Sequence, residues 1–120
     1  MNKICTTLEQ SQRLIELGIN RKTSDMYYWC GEDLRIGGYK AQDEDYDVSA
    51  WSLSALLDML EYEVVDEEGE SYYLKIDKDD IEYQIRYEDR WNSGIETKWY
   101  DNPLDAAFEM VCWLLENGKI

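Results

Sequence analysis

The chain contains no histidine among its 120 residues. Histidine supplies the general base of Ser-His-Asp and Cys-His enzymes, and it is the commonest side-chain ligand of metals in proteins. The G-x-G-x-x-G and G-x-x-x-x-G-K motifs, which hold phosphates at helix N-termini, are also missing. These absences exclude the commonest hydrolytic and nucleotide-dependent mechanisms. They predict a protein that is not an enzyme and that holds no cofactor.

Cysteines and long apolar runs are also scarce. The three cysteines, Cys5, Cys30 and Cys112, are odd in number and have no C-x-x-C spacing, which argues against a disulfide framework and against a zinc site. No segment approaches the roughly 20 apolar residues of a membrane-spanning helix, and none resembles a signal peptide. We therefore expect a cytoplasmic protein that does not enter a membrane.

Basic side chains are missing from the middle third of the chain. Residues 41–74 contain eleven acids and no Lys or Arg, and the whole chain has 27 acids against 12 bases, a net charge of −15. A surface of this sign is repelled by nucleic-acid phosphates and anionic membranes, and it attracts cationic surfaces. We therefore exclude direct nucleic-acid binding and expect a basic protein partner.

Length and hydrophobic content predict one globular domain over residues 1–120. Its most distinctive element is a helix near the C-terminal end. Asn102 can cap its first turn, Pro103 suits the first helical position, and Gly118 can close the last turn. Apolar residues cover almost every side of the helix between these ends. We predict that it lies in the core against a sheet.

Hydrophobic periodicity predicts the remaining elements. Helices are expected at residues 7–17 and 52–60, a β-hairpin at 26–36 and a long acidic loop at 39–50. Alternation of apolar and polar residues over 72–100 predicts three more antiparallel strands. The predicted fold class is α+β in the order α-β-β-α-β-β-β-α, with a mostly antiparallel sheet of about five strands packed against helices.

Four segments carry a resemblance to other proteins: Lys3–Ser11 (KICTTLEQS), Asp25–Trp29 (DMYYW), Ala50–Leu57 (AWSLSALL) and Leu104–Met110 (LDAAFEM). They resemble a group of small uncharacterised acidic proteins of gut anaerobic bacteria, their phages and mobile elements. The resemblance covers most of the chain. It implies a bacterial or phage cytoplasm and an accessory role, and it implies no particular activity.

One carboxylate cluster has the spacing of a calcium loop. Asp43, Asp45 and Asp47 form a D-x-D-x-D pattern, whose alternate oxygens can converge on a hard cation. The sixth position is Val48 where a calcium loop needs Gly, and the twelfth is Ser54 where it needs Glu. A solvated acidic loop is therefore the better interpretation.

A second cluster comprises Asp77, Asp79, Asp80 and Glu82. Such carboxylates can hold magnesium or act as the acid and base of a glycosidase. A turn between two strands is polar for a simpler reason, because its residues face solvent. We predict turn residues here, and neither a metal site nor a catalytic residue.

The five tryptophans divide into two groups. Trp29, Trp51 and Trp113 stand among apolar neighbours, so we predict them in the core. Trp91 and Trp99 lie in or beside loops, and the sequence leaves open whether they pack or form an exposed contact. Tryptophan and tyrosine are frequent anchors of protein interfaces.

The favoured function is that of a non-enzymatic acidic protein that binds and modulates a basic protein partner, by presenting carboxylates where DNA would present phosphates. A small carboxylate-dependent enzyme or divalent-cation binder, and a structural subunit of an assembly, are the alternatives. The predicted partner-binding surface consists of Asp43, Glu44, Asp45, Asp47, Asp66, Glu67, Glu68, Trp91 and Trp99.

Overall fold

A computed structural model of the chain describes residues 3–120; Met1 and Asn2 of the predicted domain lie outside the described residues. Within residues 3–120 the fold is α+β, with three helices and two antiparallel sheets. Two short 3₁₀ helices lie at Arg21–Thr23 and Tyr39–Ala41. The main elements are α1 (Leu8–Glu16), β1 (Met26–Trp29), β2 (Asp33–Ile36), β3 (Val48–Ala50), α2 (Leu53–Met59), β4 (Glu63–Val65), β5 (Ser71–Lys78), β6 (Tyr83–Glu88), β7 (Gly94–Glu96) and α3 (Pro103–Glu116).

Helix α3 confirms the prediction made for the C-terminal part of the chain. The Asn102 side chain accepts a hydrogen bond from the Leu104 N–H at 2.8 Å, and Pro103 follows at the first helical position. The helix packs against α2 and β6. Its buried residues are Leu104, Ala106, Ala107, Met110, Val111 and Leu114.

Side-chain caps also begin the other two helices at the expected places. Thr7 and Gln10 form a reciprocal capping box on α1, with N···O distances of 3.1 and 3.0 Å. The Ser52 hydroxyl accepts from the Ala55 N–H at 3.2 Å and caps α2. Trp51, immediately before this cap, is fully buried.

The sheet prediction was correct in its antiparallel pairing and wrong in its count. Seven strands form a three-stranded sheet in the order β2-β1-β3 and a four-stranded sheet in the order β4-β5-β6-β7. Strand β3 lies at the end of the segment predicted as a loop, where it pairs with β1. Strand β4 has only three residues. Both strands are too short to display a period in the sequence.

The main core lies between the inner face of the four-stranded sheet and the three helices. Strand β6 contributes Ile85 and Tyr87, which are both buried in this core. A smaller apolar cluster of Cys5, Met26 and Ala50 lies on one face of the three-stranded sheet. Among the described residues, none of the helices combines the length and the apolar character that a bilayer crossing requires.

We expect Leu114→Ala to lower the free energy of unfolding by about 2–5 kcal/mol, because the side chain is fully buried in α3 and its removal leaves a cavity. The matched control is Ile81→Ala, since Ile81 is 72% exposed and its replacement should change the value by less than about 0.5 kcal/mol. Urea denaturation of both variants measures the difference. An equal effect of the two substitutions would mean that α3 does not belong to the core.

Candidate functional site

The residues of the predicted partner-binding surface do not form one patch. Asp43, Glu44 and Asp45 are exposed in the loop before β3, beside the three-stranded sheet. Asp66, Glu67 and Glu68 lie in the β4–β5 turn, and Trp91 lies in the β6–β7 turn at the same end of the four-stranded sheet. Trp99 follows β7 and lies towards the opposite end, next to the Tyr83–Tyr100 bridge. The predicted surface is therefore divided among three places.

Asp47 does not belong to an exposed surface, which corrects the prediction for this residue. It is 7% exposed, and its two carboxylate oxygens accept hydrogen bonds from the Cys30 and Asp43 N–H groups, each at 2.8 Å. Both bonds favour the ionised form and lower the pKa of the Asp47 carboxyl. Asp47 therefore ties the acidic loop to the end of the β1–β2 hairpin.

Asp66 has a similar structural role in the β4–β5 turn. One of its carboxylate oxygens accepts from the Glu68 and Glu70 N–H groups, both at 2.9 Å, and the other accepts from the Tyr72 hydroxyl at 3.2 Å. The pKa of the Asp66 carboxyl is lowered, mainly by the Glu70 N–H. Glu67 and Glu68 remain exposed on the turn.

Asp79, Asp80 and Glu82 lie in the β5–β6 turn, as predicted, whereas Asp77 lies in β5, where it pairs with Gln84. The Asp79 carboxylate accepts from the Ile81 and Glu82 N–H groups at 2.9 and 2.7 Å, which lowers the pKa of its carboxyl. Asp77 forms an ion pair with Arg86 at 2.6 Å. In the part of the chain that the structure describes, no three Cys, Asp or Glu side chains are grouped so that they could hold a metal ion.

The tryptophans follow the prediction in two of three core positions. Trp51 is fully buried and Trp113 packs against the main core, but Trp29 is 45% exposed. The Trp29 ring instead lies beneath the Arg35 guanidinium, 4.6 Å from its centre. Trp91 is 74% and Trp99 41% exposed, so both are available for a contact.

A groove with a volume of about 570 Å³ lies beside α2. Its lining comes from the α1–β1 connection, from α2 and from the C-terminal end of the chain. The lining residues are Gly18, Asn20, Thr23, Asp25, Ser54, Ala55, Asp58, Met59, Glu61, Leu115 and Ile120. We call this cavity the acidic groove, because it contains three carboxylates and no Lys or Arg.

The carboxylates of the acidic groove differ in their freedom to bind a ligand. Asp25 accepts hydrogen bonds from the Ser52 N–H, at 2.9 Å, and from the Ser52 hydroxyl, which fixes it at the start of α2. Asp58 and Glu61 are exposed, and no hydrogen bond within residues 3–120 engages their carboxylates. Ala55, Met59 and Leu115 provide apolar surface beside them. The groove thus combines apolar lining with two negative charges that are free to bind a ligand.

Sequence reasoning missed the acidic groove, although one signal was present. Ser54 and Asp58 are four residues apart, which places two polar groups along one side of α2, and Glu61 follows shortly after the helix ends. These residues also belong to the segment without Lys or Arg. Nothing in the local pattern indicated that Asn20 and Leu115 would meet that side of the helix.

The two thiols of the apolar regions are poor nucleophiles at neutral pH. Burial raises the pKa of Cys112 to about 11 and raises the pKa of Cys5 above its ordinary value. Cys112 lines a smaller cavity of about 250 Å³ together with Glu109. A hydrogen bond to Glu109 is the main cause that raises the pKa of Tyr100 to about 12. These groups are therefore protonated thiols and a protonated phenol near neutral pH.

No protein-family model, no curated protein and no solved structure matches this chain.

We expect Asp47→Asn to lower the melting temperature at pH 7, because an amide has one acceptor oxygen and presents its own N–H to one of the two backbone N–H groups. The folded-state pKa of Asp47 lies below its ordinary value of 3.8. Its stabilising effect is therefore complete well above that value and is lost as the pH falls through the folded-state pKa. The difference in melting temperature between the variant and the wild type should accordingly become smaller at acidic pH.

Thermal melting of both proteins from neutral to acidic pH measures this narrowing. Asp45→Asn is the matched control, since it removes the same charge from an exposed neighbour in the same loop. Identical pH profiles for the two variants would contradict the role assigned to Asp47.

Proposed function

We propose that the protein is a non-enzymatic acidic interaction protein that binds a basic protein partner, and that the acidic groove receives a basic segment of that partner. The observation that carries the proposal is the groove itself: about 570 Å³, with Asp25, Asp58 and Glu61 among its lining residues and no Lys or Arg. A concave site of this size is the usual form of a binding site in a small protein.

A lysine or arginine side chain matches both features of the groove. Its long aliphatic stem can lie on apolar surface while its charged end remains near water or a carboxylate. Here Ala55 and Met59 would contact the stem, and Asp58 and Glu61 would accept hydrogen bonds from the cationic end. Nucleic-acid phosphates are negatively charged, like the carboxylates of the groove, so the groove repels them.

The exposed acids outside the groove favour the same partner from a distance. Asp43, Glu44 and Asp45, and on the β4–β5 turn Glu67 and Glu68, are not paired with a base in the described residues. Such charges raise the rate at which a cationic partner approaches, and salt screens their effect. They mainly raise the association rate constant and add little to the free energy of binding.

The biological setting in this proposal comes from the resemblance to acidic proteins of gut bacteria and their phages. We propose an accessory role in a bacterial or phage cytoplasm, in which carboxylates occupy the place that DNA phosphates would take on a basic protein. The divalent-cation and enzyme alternatives have less support, because Asp47, Asp66 and Asp79 use their oxygens to accept backbone N–H bonds.

We expect the double variant Asp58→Asn/Glu61→Gln to bind a labelled oligolysine peptide about 2- to 30-fold more weakly than the wild type. This range corresponds to two partly exposed ion pairs of about 0.2–1 kcal/mol each. Fluorescence anisotropy at low salt measures the dissociation constant. Raising the NaCl concentration from about 20 to about 300 mM should weaken binding further, since these charges are solvent-exposed.

The matched control is Glu67→Gln/Glu68→Gln, which removes the same two charges from the β4–β5 turn, outside the groove. It should change the dissociation constant less than the groove variant does. Equal effects of the two pairs would show binding by net charge alone and would overturn the assignment of the groove. Absence of salt-sensitive oligolysine binding would overturn the proposed function as a whole.

A further inference from the structure

Strand β2 is an edge strand, and its outer side has no partner strand among residues 3–120. All four of its residues are exposed, including Leu34 at 39% and Ile36 at 87%. Proteins commonly protect such an edge with proline, lysine or a β-bulge. Strand β2 contains no proline and no lysine, its pairing with β1 is regular, and its two charged residues, Asp33 and Arg35, have opposite signs. The edge is therefore open to another strand.

The two faces of β2 have different chemistry. Leu34 pairs with Tyr28 and Ile36 with Met26, so both apolar side chains extend the face that carries the small apolar cluster. Asp33 and Arg35 project from the other face. Neither has an ion-pair partner within 4.0 Å in the described residues.

Arg35 remains able to bind a carboxylate although it lies over the Trp29 ring. A guanidinium that stacks through its flat face keeps its N–H groups in its own plane, at the edge of the stack. A carboxylate from a neighbouring molecule can therefore approach without displacing Trp29.

The segment that contains β2 is less acidic than the rest of the chain. Residues 21–40 carry four basic and three acidic side chains, whereas the remaining residues carry 24 acidic and eight basic ones. This segment therefore contributes less to the repulsion between two copies than the rest of the chain does. At physiological ionic strength, charges farther away than about 8 Å are largely screened.

We propose that the occupant of this edge is a second copy of the same chain, which pairs antiparallel through β2 about a two-fold axis at Leu34. Two three-stranded sheets then become one continuous sheet of six strands. The apolar faces of both copies lie on the same side of that sheet.

Charge selects the register of this pairing. A two-fold axis perpendicular to the sheet places each residue opposite a residue of the same face. An axis at Asp33 or at Arg35 would place like charges opposite each other. An axis at Leu34 places the Asp33 of each copy opposite the Arg35 of the other copy. The two Leu34 side chains then lie side by side at the axis. The strand is thus complementary to itself in this register.

The interface is short, so the dimer should be weak. The fraction of the protein that is dimeric should therefore rise with protein concentration. Interfaces that bury less than about 1,200 Å² are typical of transient complexes. Added salt screens both the repulsion between two chains of charge −15 and the two Asp33–Arg35 attractions, so the dissociation constant of the dimer should depend only weakly on salt. Binding of a basic partner in the acidic groove should instead weaken clearly as salt is added.

Sedimentation velocity over protein concentrations from about 10 μM to about 1 mM tests the proposal. We expect the average mass to rise from monomer towards dimer. Leu34→Lys and Arg35→Glu should each raise the dissociation constant of the dimer by about ten-fold or more, because both bring like charges together across the axis. Asp33→Arg/Arg35→Glu exchanges the two charges at constant net charge and should restore association.

Circular dichroism of each variant verifies that the hairpin still folds without the Arg35–Trp29 stack. Ile81→Lys, at an exposed position in the β5–β6 turn, is the control and should associate like the wild type. A wild type that stays monomeric at every concentration would overturn the proposal, and so would a dimer that is unaffected by Leu34→Lys and Arg35→Glu.

Oligolysine binding by Leu34→Lys tests the groove separately, since the two sites use different residues.

Discussion

The fold depends on the burial of Trp51 at the junction between the three-stranded sheet and α2. Its indole N–H donates to the Thr23 hydroxyl at 2.9 Å, so the large side chain is buried without an unsatisfied polar group. Its backbone N–H donates to the Thr6 hydroxyl at 3.1 Å, and its carbonyl accepts from the Thr6 N–H at 2.9 Å. These bonds join the N-terminal segment, the α1–β1 connection and the start of α2. The wall of the acidic groove is built on that junction.

The sequence predicted the elements whose signals are local and long. Helix α3 was found because its cap, its first-position proline and its apolar circumference all lie within residues 102–118. The alternation of β5 and β6 was visible because each strand is six or more residues long. Strand β3 was missed because Val48–Ala50 becomes a strand only by pairing with β1. The division into two sheets depends on such pairings and has no local signature.

The candidate site was predicted less completely for the same reason. The excess of acid in residues 41–74 was visible, but which carboxylates are free depends on distant backbone groups. Asp47 is engaged by Cys30, 17 positions earlier, while Asp58 remains unpaired in the same acidic segment. The apolar neighbours of Trp29 predict a core position, but the β1–β2 hairpin leaves its side chain half exposed beside Arg35. The composition predicted that the surface is negatively charged, but it did not predict where the surface forms a groove.

The acidic groove is lined by parts of the chain that are far apart in sequence. Asn20 and Asp25 come from its first quarter, whereas Leu115 comes from the last turn of α3. A ligand that contacts these segments binds only while they are held together, so it stabilises the native state by mass action. The amide hydrogens of the last turn of α3 would then exchange more slowly with solvent, because the ligand opposes the local opening that is usual at helix ends. Hydrogen exchange at the C-terminal end of α3 would therefore report whether a ligand occupies the acidic groove.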